Sequence, residues 1–246
     1  MAARPATRRP PASPTPPAPA PRPAVRDFTG GIPYLIEWDV RTVYDFLFSL
    51  SGDAGSTEDL PPGDRAWLTD ARGSLPQELQ PSVTRLFDTE VAIHTVPMIV
   101  GRPDVTTSAE FVRFLGEAAP KDVVRSIVSN FSDVPTLDEL IARLDNGDES
   151  VVSDIESCLP EHKREAAMSI VRDPTGAHAQ IMGVLTAWQE RFEPIEERVH
   201  AMLDRDYALR APDRGSLSAP DLIERTTGGI RWLSEPGIRR GILAAS

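Results

Sequence analysis

One stretch constrains the fold more than any other. From Gly176 to about Tyr207, the residues Ile181, Val184, Leu185, Trp188, Phe192, Ile195, Val199, Met202 and Leu203 recur at three-to-four spacing. That period places them on one face of a single long helix. A helix of this kind cannot bury its own stripe, so other elements must pack along it. Pro194 falls inside the stretch and removes one backbone donor, which predicts a kink near Gln189 to Arg191.

The packing partners read as shorter helices. Behind Asp39, a good N-cap residue, Val40, Val43, Phe46, Leu47 and Leu50 form an amphipathic face. A polar loop runs from Gly52 to Gly63. "DRAWLTDARGSL" turns Trp67, Leu68 and Ala71 inward, and "PSVTRLFDTEVAIHTVPMIVG" reads as an apolar helix broken near Pro97. Thr107 with Glu110, and Thr136 with Glu139, have capping-box spacing ahead of apolar runs. Between them lies a face of Val123, Val124, Ile127, Val128 and Phe131. Gly147 suits a helix stop, Val151 to Leu159 mark a helix ended by Pro160, and Ser218 suits the cap of "APDLIERT". Strand signals sit near the two ends only. "FTGGIPYLIEW" reads as a strand, and the end of the chain reads as a hairpin arm: Ile230 to Leu233, a turn at Glu235-Pro236-Gly237, then Ile238 to Leu243. The expected fold is mainly α, a multi-helix bundle-like domain with a few short strands near residues 32–37 and 228–244.

Residues 1–26 differ in kind. Nine of them are Pro and five are Arg, with no acid and almost no large apolar side chain. Such a segment cannot bury enough surface to offset its ordering entropy, so a disordered tail is expected, followed by one domain over 27–246. The whole chain carries −11, and the tail's +5 leaves −16 for residues 27–246. An acidic body repels phosphate backbones. Of the 26 basic residues, only Lys121 and Lys163 are lysines. No apolar run approaches the roughly 18 residues of a membrane span, and no apolar segment follows the N-terminal arginines as a secretory signal requires. With Cys158 as the single cysteine, no internal disulfide is possible. A cytoplasmic protein is the expectation.

The usual motifs of chemistry are missing. There is no H-E-x-x-H, no G-x-S-x-G, no P-loop, and Gly30-Gly31 and Gly228-Gly229 lack dinucleotide-binding spacing. In "CLPEHKRE", Cys158 and His162 stand four apart with Glu161 and Glu165 nearby, but Pro160 interrupts the spacing and a solvated helix junction explains the segment. Paired acids such as Glu196-Glu197 and Asp204-Asp206 read as a solvated face. No catalytic residue, metal ligand or cofactor is therefore assigned, and an enzyme is not expected. The remaining candidate is aromatic. Trp67, His94, His178, Trp188 and Phe192 either line a ligand pocket between helices or pack as core with their polar groups satisfied internally.

The order of features carries a resemblance. "WDVRTVYDFLFSLSGD", then "RAWLTDARGSLP", then "AWQERFEPIEER", then "TTGGIRWLSEPGIRRGILAAS" resembles the N-terminal region of ArsR-like winged-helix transcriptional regulators, over about residues 34–246. In that group the region is a mostly helical domain preceding the DNA-binding winged helix. The look-alikes continue past the last strand toward Pro-Ser and a winged helix, whereas "LAAS" stands here. The resemblance thus implies a sensor or dimerisation domain without its own DNA-reading half, whether truncated, a fragment or a stand-alone relative. It implies a small-molecule effector and a homodimer as partners, and no specific DNA binding by this chain alone. The alternative is a stand-alone helical small-molecule-binding protein.

Overall fold

The computed structural model describes residues 24–26, 35–51, 60–89, 92–129, 136–226 and 240–244. These are mainly helical, as the periodicity predicts. The chain divides into two compact units rather than the one domain expected over 27–246. One comprises Asp39–Leu217 with Leu243–Ser246, the other Met1–Trp38 with Ser218–Ile242.

In the larger unit the helices run α1 (Thr42–Leu50), α2 (Pro62–Gly73), α3 (Gln80–Ser82), α4 (Val96–Val100), α5 (Ser108–Glu117), α6 (Pro120–Ser129), α7 (Thr136–Asp145), α8 (Val152–Cys158), α9 (Glu161–Arg172), α10 (Pro174–Leu209) and α11 (Ala211–Ser216). The frame is α10, whose 36 residues span about 54 Å at helical rise. Its apolar stripe packs on α1, α5, α6 and α9. Val184, Trp188 and Ile181 are fully buried there, with Phe46, Leu47, Phe111, Leu115 and Ile127 opposite them. Edge-on contacts tie the layers: Phe46 meets Phe192 at 5.5 Å and Phe111 at 6.3 Å between ring centroids.

Several local signals act as predicted. Thr107 and Glu110 form a complete capping box at the start of α5. Gly147 takes φ 89° just past α7, a left-handed conformation that only glycine adopts cheaply. A cap not singled out in the sequence is Asp173, which starts α10 by accepting from the Gly176 amide at 2.9 Å.

Other expectations are corrected. Asp39 does not cap α1. That helix begins later, at Thr42, with Arg41 in the N-cap position, and Asp39 serves Arg41 instead. The apolar segment after Pro81 is not one helix broken near Pro97. It consists of α3, a π-helical turn over Val83–Phe87, a 3₁₀ turn over Ala92–Thr95 and α4. Pro97 sits in the first turn of α4, where its missing N–H costs nothing. Pro194 leaves α10 uninterrupted through Gln189–Arg191; it lies on the exposed side of the helix. α9 was not anticipated.

In the smaller unit, β1 (Ala24–Arg26) pairs antiparallel with β2 (Leu35–Asp39), with Val25 opposite Ile36. The sheet order is β1-β2-β3, where β3 is Arg240–Ala244. The last apolar run thus finds its partner among residues from the opposite end of the sequence. β1 also takes the final three residues of the segment expected to be a disordered tail. The rest of that segment, residues 1–23, lies outside the described residues, as do Phe131 and the expected first hairpin strand at Ile230 to Leu233. Helix α12 (Ala219–Thr226) completes the unit, with the Asp221 amide donating to Ser218 Oγ at 3.4 Å as its cap.

Candidate functional site

Trp188 and Phe192 are buried in the core and Trp67 packs against it, and none of the five candidates borders either of the two clefts described below. Trp188 is fully buried, and its indole N–H donates to the Phe46 carbonyl at 3.0 Å and to Ser49 Oγ at 3.3 Å. Trp67 is half-buried, its ring 5.9 Å from that of Trp188. Phe192 is buried against Phe46. His178 Nε2 lies 2.8 Å from the Leu115 carbonyl, binding α10 to α5. His94 is half-buried in the Ala92–Thr95 turn. The Trp188 indole N–H and His178 Nε2 thus find partners within the fold.

Two buried polar nodes fix the helices around this core. The first centres on Arg41. Its Nε donates to Asp39 Oδ1 at 2.6 Å, its Nη2 bonds Asp39 Oδ2 and Tyr44 Oη, and its Nη1 reaches the carbonyls of Ile99, Arg102 and Val105. One guanidinium thereby clamps the turn after α4 onto the start of α1. Burial and the Asp39 carboxylate push the Tyr44 hydroxyl up to about 12, so it stays a neutral donor to Asp39 at 2.8 Å. The second node is Glu196 on α10. It accepts from Thr42 Oγ1 at 2.6 Å and from the Ser108 amide and hydroxyl, both at 2.7 Å. Of the acids read as a solvated face, Glu196 is therefore an anchor joining α1, α5 and α10. Both nodes are built from the protein's own groups, and Arg102 and Val105, whose carbonyls Arg41 reaches, also border the cleft described next.

Space for a ligand occurs elsewhere in the same unit. A cleft of about 440 Å³ runs along α5, bordered by Arg102, Asp104, Glu110, Arg113, Phe114 and Glu117. Its charges largely serve each other. Arg102 pairs with Asp104 at 2.7 Å and stacks 4.7 Å over the Phe114 ring. That pairing, with the backbone bond of Asp104, draws the Asp104 carboxyl down to about 2. Glu110 is committed to the capping box, accepting from the amides of Thr106 and Thr107. The cleft is wide and polar, and most of its recognition groups are already spoken for.

The second space is smaller and of different character. A crevice of about 170 Å³ opens between α6, α7 and the junction of α9 with α10. Its floor is Val124, Ile141 and Val171, all buried, with Leu144 and Pro174 beside them. At the rim stands Lys121, whose ammonium reaches only the Asp145 carbonyl, at 3.5 Å. The Asp145 carboxylate is engaged by Arg125. An apolar floor with one unneutralised cation at its edge is the arrangement that binds and orients a small amphiphile. The sequence reading missed it because Val124, Ile141 and Leu144 looked like ordinary core stripe. Lys121, one of two lysines among 26 basic residues, was the visible signal.

Among the described residues no group of three or more His, Cys, Asp or Glu could hold a metal ion. Cys158 is half-buried against the core at the end of α8, and His162 is exposed on α9. No described helix is long and apolar enough to cross a membrane. No family model, curated protein or solved structure matches the chain.

Proposed function

We propose that the helical unit is an effector-binding and dimerising domain of the kind that accompanies DNA-reading domains in ArsR-like regulators, and not an enzyme. The observation that carries the reading is the crevice between α6 and α7. It offers an apolar floor and a charged rim of Lys121 and Asp145, with the Asp145 carboxylate engaged by Arg125. Such a site binds and orients a molecule. Its walls come from α6, α7, α9 and the start of α10, so an occupant that binds one arrangement of these packed helices better than another shifts the equilibrium between them.

The dimerising half rests on α10. Beyond Phe192 its outer surface carries Met202, 54% exposed, and Leu209, 69% exposed, seven residues apart on one face. A second copy of the chain covering that face buries both. Sedimentation of the full chain should show a dimer that Met202→Glu with Leu209→Glu converts to monomer; a dimer unaffected by the double variant places the contact elsewhere.

The regulatory half is tested in cells. A strain lacking the gene should change transcription of a defined set of promoters, and one carrying Leu144→Trp, which fills the crevice, should lose the response of that same set to its effector. If the two strains share no altered transcripts, the crevice has no part in regulation and the reading fails.

A further inference from the structure

The structure points to a chemical class for the occupant: we propose that the crevice between α6, α7 and the α9–α10 junction binds a small apolar carboxylate, of about the size of benzoate. This rests on the effector-binding reading and sharpens it. Size comes first. The crevice holds about 170 Å³, and an apolar cavity of about 150 Å³ accepts one benzene ring. A ring or a short branched chain therefore fills the floor of Val124, Ile141 and Val171, and nothing much larger enters.

Charge comes second. Lys121 occupies the second position of α6, at the positive end of a helix, where a cation is disfavoured. Helix stability does not explain it there. Among the described residues its ammonium makes one long contact, to the Asp145 carbonyl, while the Asp145 side chain pairs with Arg125. The charged groups of the lining are Lys121 and Asp145, and it is the Asp145 carboxylate that Arg125 engages. An ammonium beside apolar walls gains most from an anion that can lie over the floor while its charge points outward. A neutral ligand leaves that cation unserved, and a cationic one is repelled by it. The larger cleft along α5 also holds a cation, Arg113, but its lining is mostly charged, with Arg102, Asp104, Glu110 and Glu117 beside it.

The test is calorimetric titration of the full chain with three isosteres: benzoate, benzamide and benzylammonium. Benzoate should bind at least about tenfold more tightly than benzamide, the scale of one charge-assisted hydrogen bond, and benzylammonium least. Lys121→Met should abolish the preference for benzoate over benzamide, whereas Lys121→Arg should retain it. Lys121 is exposed, so both variants should fold, as their thermal midpoints will verify. Leu144→Trp should abolish binding of all three. If benzamide or benzylammonium binds as tightly as benzoate and Leu144→Trp removes it, the crevice is a ligand site but not a carboxylate site, and this inference alone is overturned. A benzoate preference that survives Lys121→Met overturns it as well. If none of the three binds, the inference falls and the crevice no longer supports the effector-binding reading.

Discussion

Trp188 shows how far single residues are legible. Its position on the apolar stripe fixes its burial, and the structure adds the reason it is a tryptophan. The ring fills the space between α10 and α1, while the indole N–H serves the Phe46 carbonyl at 3.0 Å. Trp188→Ala therefore loses both packing and a donor, and should cost about 3–5 kcal/mol in urea unfolding. A cost under about 1 kcal/mol would place Trp188 outside the core. Asp45 was not legible at all, because nothing in its spacing marks it as buried. Its Oδ2 is enclosed without a hydrogen-bond partner, and burial pushes the carboxyl from 3.8 up to about 7. Between those values the folded chain keeps a proton that the unfolded chain has released. Stability is then fullest below about pH 4, falls as pH rises toward 7, and levels off above. Asp45→Asn removes this titration. Thermal midpoints at pH 5 and pH 8 should lie closer together in the variant than in the natural chain, and an undiminished gap would assign the dependence to other groups.

Elements were read well where large apolar residues repeat along a helix and badly where they do not. α5, α6, α8 and α10 fall close to where their stripes predict. α9 is hard to read because its first half, Glu161 to Glu165, is wholly polar and its buried residues, Ala166, Ala167, Met168, Ile170 and Val171, crowd into the second half without a three-to-four repeat along the helix. The joints between elements were less legible still, since they depend on side chains distant in sequence. Glu196 is the clearest case. Neighbouring Glu197 is exposed while Glu196 is half-buried and accepts three hydrogen bonds from α1 and the first residue of α5. Glu196→Ala leaves the Ser108 amide and hydroxyl without this acceptor, while Thr42 keeps the Thr106 carbonyl, and should cost about 1–3 kcal/mol. Glu196→Gln should cost less, because one amide oxygen still accepts. Urea midpoints of the two variants check the order, and equal losses would mean that the charge contributes more than the geometry.

At the scale of the whole molecule, the mainly helical class follows from periodicity, but the division into two units does not. The smaller unit joins residues before Trp38 to residues after Ser218, and no local window contains both halves of that pairing. Charge, by contrast, is a whole-molecule property fully visible in the sequence, and it bears on DNA. Residues 27–246 hold −16, and residues 1–26 hold five arginines and no acid. Phosphate contacts from such a segment carry no sequence information and weaken steeply with salt. Base reading needs a recognition element with a basic face, and the described helices spread their arginines among acids: Arg72 pairs with Asp88, Arg125 with Asp145, Arg198 with Asp64 and Arg210 with Asp206. This chain by itself should therefore retain DNA only at low salt, without preference among sequences, and lose it when residues 1–26 are removed. Gel shifts at about 150 mM salt, where screening acts over about 8 Å, check this with specific and competitor duplexes. One promoter held over competitor by the chain lacking those residues would show that the acidic helical body reads bases directly, and would displace the view of it as a domain that senses and assembles while another domain reads the DNA.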